Sequence, residues 1–104
     1  MSNLYFATKY EIRYNNTPLI DGEDFAAFRS FLHEFDTDIY DDEGFSLEIP
    51  VSGFKDALEQ AINMPSEEYA EYGFHISKER LISVMRDILA GYDKNNEYIL
   101  LACF

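Results

Sequence analysis

Cationic side chains are scarce in this chain. Only 8 of its 104 residues are Lys or Arg, against 20 Asp or Glu, which leaves a formal net charge of −12 at pH 7. This balance argues against direct nucleic-acid binding, because phosphate recognition needs Lys and Arg to displace counterions. An anionic membrane surface is disfavoured for the same reason. Cysteine is nearly absent as well. The single Cys103 cannot close an internal disulfide, so the chain reads as a reduced, cytoplasmic protein. No apolar run approaches the ~20 residues of a membrane-spanning helix, and no basic-then-apolar start marks a signal peptide. Gly-rich phosphate loops and the G-x-S-x-G elbow are missing.

What the chain has is apolar and aromatic mass: 47% hydrophobic residues, 16% aromatic, with 9 Phe and 8 Tyr. That composition lies outside the disordered class and predicts a packed core in one domain spanning residues 1–104. Residues 4–14 alternate, with Phe6, Tyr10, Ile12 and Tyr14 on one face, as a half-buried strand does. Asp21 is the expected cap of a helix striped by Phe25, Phe28, Phe31, Leu32 and Phe35. Phe45, Leu47 and Ile49 alternate again, predicting a strand that returns from an acidic turn at Asp41–Gly44, with Pro50 at its end or edge. Ser52 is the expected cap of a helix carrying Phe54, Ala57, Leu58, Ala61 and Ile62. Another helix is expected between Ser66 and Gly73, and Ser77 caps a further one with Leu81, Ile82, Met85, Ile88 and Leu89. The closing run Tyr98–Phe104 predicts a central strand buried on both faces and lying beside residues 4–14. The fold class is therefore α+β, a small, mostly antiparallel sheet of about three or four strands packed with three or four helices.

Charge is concentrated in the middle of the chain. Residues 30–77 hold twelve acids and one base, Lys55, and so carry −11 of the −12. From Glu34 through Asp36, Asp38, Asp41, Asp42 and Glu43 to Glu48 there is no Lys or Arg, and Glu67, Glu68 and Glu71 follow later. Like charges this close repel one another and destabilise the compact state. Ile39, Tyr40 and Phe45 are interleaved with them, which a mere solubility loop does not need.

Catalysis and metal chemistry find little footing. Counted from Asp36, the calcium-loop positions six and twelve hold Asp41 and Leu47 where Gly and Glu are required, so no tight Ca²⁺ site is expected. His33 and His75 have no second His or Cys at zinc spacing, and Cys103 sits in the most apolar stretch, where a thiol is inert filler. No carboxylate pair stands out for hydrolysis. The chain is read as a non-enzyme without cofactor or metal.

An acidic surface is complementary to a basic one, and basic clefts in cytosolic proteins mostly bind nucleic acid. Carboxylates on a rigid fold can imitate a line of phosphates, and tyrosines among them can anchor the contact. The candidate partner-binding residues are Glu34, Asp36, Asp38, Tyr40, Asp41, Asp42, Glu43, Glu48, Glu67, Glu68, Tyr69, Glu71 and Tyr72.

The order strand, Asp-bearing turn, acidic-start helix, then Ile39-Tyr40-Asp41-Asp42-Glu43-Gly44-Phe45 and a helix opening at Phe54-Lys55-Asp56, resembles the N-terminal part of ArdA-type antirestriction proteins. The resemblance covers residues 4–62 and rests on Asp41, Glu43, Gly44 and Phe45. It implies a mobile-element or phage protein that imitates duplex DNA to inhibit a bacterial defence enzyme. The expected function is accordingly an acidic inhibitor covering the basic nucleic-acid site of a restriction or CRISPR-type enzyme in the bacterial host. The alternatives are an immunity protein neutralising a basic toxin nuclease, and a non-catalytic adaptor or structural subunit pairing through an edge strand, with a homodimer open.

Overall fold

A computed structural model describes residues 3–6, 20–35, 39–41 and 46–103. The elements run β1 (Asn3–Phe6), β2 (Ile20–Asp21), α1 (Gly22–Glu34), β3 (Tyr40–Asp41), β4 (Ser46–Pro50), α2 (Val51–Asn63), α3 (Ser66–Glu71), α4 (Lys78–Gly91) and β5 (Tyr98–Cys103). The strands form one sheet in the order β2-β1-β5-β4-β3, antiparallel at every pairing. Among the described residues the fold is mixed α+β with four helices. The strand count there departs from the expected three or four: the sheet has five described strands, of which β2 and β3 are two-residue edges.

β5 is the middle strand, as its apolar run predicts. It pairs on one side with β1 (Leu4 opposite Cys103, Phe6 opposite Leu101) and on the other with β4 (Leu47 opposite Leu101, Ile49 opposite Ile99). The expected burial on both faces is corrected. Ile99 and Leu101 are buried, but Leu100 is half-buried and Tyr98 is 47% exposed. Among the described residues, helices cover the face carrying Leu47, Ile49, Ile99 and Leu101, and an antiparallel sheet tolerates a second, more exposed face. Of the long N-terminal strand expected over residues 4–14, residues 4–6 lie in β1 and the rest lie outside the described residues.

The aromatic stripe of α1 makes the centre of the core. Phe28, Phe31 and Leu32 are fully buried, and Phe28 meets Phe54 of α2 edge-on at 6.5 Å. Leu81, Met85 and Ile88 of α4 close the same cluster. Asp21, the last residue of β2, directly precedes α1 and so stands at the expected cap position. The Ser52 cap is corrected: Ser52 lies inside α2, whose cap residue is Pro50. Strand passes straight into helix there because the Val51 amide donates to the Glu97 carbonyl at 3.0 Å. Ser77 does cap α4, its Oγ accepting from the Arg80 amide at 3.1 Å. Ile62, expected in the core, is 42% exposed, because the buried stripe of α2 runs through Phe54, Ala57, Leu58 and Ala61.

Candidate functional site

The acids of the middle segment are distributed over two places. One is the β3–β4 hairpin, where Tyr40 pairs with Glu48 and Asp41 with Leu47. Tyr40 is 64% exposed and Glu48 is exposed, both on the open side of the sheet, in a row that continues to Leu100. Asp36, Asp38, Asp42 and Glu43 lie outside the described residues, so the expected turn does too.

The second place is the corner between α2 and α3. The Met64 amide closes α2 by donating to the Gln60 carbonyl at 3.0 Å, Met64 is extended, and Pro65 starts the next helix with φ fixed. α3 then ends after one and a half turns, and Gly73 at φ +70° reverses the chain. This break leaves a groove of about 600 Å³. Asp56, Glu59, Gln60 and Asn63 of α2 form one wall. Met64, Pro65, Glu68 and Tyr72 form the floor and the other wall, and Phe35, just beyond α1, closes the end.

Aromatic contacts tie this corner together. Phe31 packs on Phe35 (4.7 Å) and on Phe74 (5.7 Å), Phe35 meets Tyr72 at 5.3 Å, and Tyr72 stacks on Phe74 at 5.5 Å with ring planes 9° apart. Glu34, exposed at the end of α1, is thereby brought to the side of the molecule that carries Glu68 and Tyr72. Glu67 and Glu71 are exposed on α3. Sequence reading missed Asp56, Glu59, Gln60 and Asn63. Their spacing held the signal, since positions 56, 59, 60 and 63 fall on one helix face, opposite the buried stripe.

Tyr69 is corrected. It is 7% exposed, its hydroxyl donates to the Ile76 carbonyl at 2.7 Å, and it packs on Phe74 at 5.7 Å. Burial, and next the charge of Glu79, raises its pKa above the ordinary 10.0. A core phenol serves the fold and cannot anchor a partner.

No protein-family model, curated protein or solved structure matches the chain. Its chemistry therefore rests on its own residues. Several cations make contacts within the chain: Lys78 Nζ donates to the Met64 carbonyl, and Lys94 Nζ, at the surface, donates to the Leu89 carbonyl while sitting 3.7 Å from the Tyr92 ring centroid. Arg80 lies 3.7 Å from Asp24. Two ammoniums thus serve backbone carbonyls. Among the described residues, no group of three or more His, Cys, Asp or Glu is arranged to hold a metal ion, and no helix is long and apolar enough to cross a membrane.

Proposed function

We propose that this protein is an acidic inhibitor that occupies the basic nucleic-acid-binding surface of a bacterial defence enzyme, of restriction or CRISPR type, in place of the nucleic acid. The supporting observation is the partition of charge. Glu34, Glu48, Asp56, Glu59, Glu67, Glu68 and Glu71 are all exposed. Among the described cations Lys55 and Arg86 are exposed as well, Lys78 and Lys94 donate to backbone carbonyls, and Arg80 lies beside Asp24, so the exposed carboxylates are in excess. Carboxylates three residues apart on a helix, as at Asp56 and Glu59 or Glu68 and Glu71, rise ~4.5 Å along the axis. One strand of duplex DNA spaces its phosphates by ~3.4 Å of axis. Among these carboxylates, Glu48 stands on β4 and the others on helices, elements whose buried sides share one core.

Competition tests the reading. Immobilised wild-type protein should retain a basic nuclease or defence complex from bacterial lysate at low salt, and duplex DNA or RNA should displace it. The variant Asp56→Asn/Glu59→Gln/Glu67→Gln/Glu68→Gln/Glu71→Gln should fold and lose that capture. Retention by the neutralised variant, or a captured protein that nucleic acid does not displace, overturns the decoy reading. An immunity protein presents the same physical surface and is distinguished by the captured partner being a secreted toxin nuclease. For the adaptor reading, the exposed edge at Tyr40–Asp41 is the relevant feature, and its partner binding would resist salt.

A further inference from the structure

The corner groove has a more definite chemistry than a general acidic surface. We infer that it takes a short arginine-bearing segment of the partner, with one guanidinium seated between the carboxylates of Glu59 and Glu68 and the ring of Tyr72. This rests on the acidic-inhibitor reading for the partner's basic character, and on the groove itself for the choice of arginine.

Three features favour that occupant. First, the described lining residues contribute three carboxylates and no cation, so an acidic segment or a second copy of this −12 chain would be repelled. Second, the apolar surface is preformed. Tyr72 remains 41% exposed although Phe74 stacks on it and Phe35 leans against it, so its ring is already held against neighbours and has less freedom to lose on binding. A guanidinium gains both from an aromatic neighbour and from a carboxylate that can accept two parallel N–H bonds, whereas an ammonium is a compact, strongly hydrated point charge. Third, Gln60 and Asn63 supply amide groups on the same wall for the occupant's backbone. A volume of about 600 Å³ exceeds one side chain, which calls for a segment of a few residues.

The test uses the full chain and two capped peptides of identical length, Gly-Arg-Gly-Gly-Arg-Gly and its Lys counterpart, with binding followed by NMR. The expected result is saturable shifts confined to the Gln60 and Asn63 side-chain amides and the Tyr72 ring. The Arg peptide should bind at least threefold more tightly than the Lys peptide. Glu59→Gln, at an exposed position, should keep the fold and weaken Arg binding several-fold; Tyr72→Ala should abolish the Arg-over-Lys preference. Unsaturating shifts spread over all acidic residues, or equal binding of both peptides, overturn the inference. Arg binding that persists in a protein whose captured partner ignores nucleic acid overturns the inhibitor reading and leaves the groove assignment standing.

Discussion

At the scale of single residues, Tyr69 couples the fold to alkaline pH. Its neutral phenol is the form the core accommodates, because burial and then Glu79 disfavour the phenolate. A raised pKa means that its stabilisation is fully present below pH 10.0 and is lost as pH rises through the higher folded value. Tyr69→Phe deletes the hydrogen bond to the Ile76 carbonyl and should cost about 0.5–1.5 kcal/mol in urea unfolding at neutral pH. The gap between wild type and variant should close above pH 10.0, and a gap that stays constant would contradict the assignment. Gly73 is a separate case. A Cβ there meets nothing within 4 Å, but φ is +70°, so Gly73→Ala should cost roughly 1–2 kcal/mol from backbone strain alone. Tyr69 also marks a limit of sequence reading. An aromatic flanked by Glu67, Glu68 and Glu71 reads as surface, and only its place on the inner side of a six-residue helix makes it core.

At the scale of elements, legibility followed periodicity. The Phe stripe of α1, the stripe of α4 and its Ser77 cap, and the apolar run of β5 were readable because one burial pattern repeats over several residues. The cap of α2 was not. Ser52 is the right residue type, but a hydrogen bond from Val51 to Glu97, forty-six residues away, accompanies a helix start two residues earlier. The groove was hidden for a similar reason: it needs the ends of three helices together, and only its α3 wall lay inside the acidic residues singled out. The open sheet face was misread because a run of aliphatics looks alike whether one or two faces are covered, and only the pairing with Glu48 settles that Leu100 faces outward. Removing residues 100–104 takes away Leu101 and most of the strand that β1 and β4 share, and should abolish the cooperative thermal transition. An unchanged Tm in the truncated protein would contradict the central role of β5.

At the scale of the whole molecule, self-repulsion is the dominant electrostatic fact. A charge of −12 on a domain of radius of gyration 12.9 Å leaves carboxylates close enough to sense one another at low ionic strength. Raising salt from about 0.01 M to about 0.15 M shortens the Debye length from ~30 Å to ~8 Å. Wild-type Tm should therefore rise with salt, and each kcal/mol of relieved repulsion is worth roughly 4–8 °C. Partner binding should move the opposite way, weakening over the same range. The five-fold neutralised variant should start from a higher Tm and respond less to salt, which calorimetry would show. Equal salt responses would mean that the exposed carboxylates on α2 and α3 contribute little to the field.

The pairing of Leu4 with Cys103 has a mechanical consequence. β1 and β5 lie side by side and antiparallel, so the two ends of the described chain leave the sheet at the same end of neighbouring strands. Tension applied between residues 3 and 103 acts across the rungs of that ladder and opens them one after another, beginning at the outermost pair. A parallel arrangement would load all the rungs together in shear. The same adjacency makes those ends a natural point at which to close the backbone into a ring, since a short linker has little distance to span. Such a ring should unfold at a higher temperature than the linear chain, and under load it would remove the peeling route altogether.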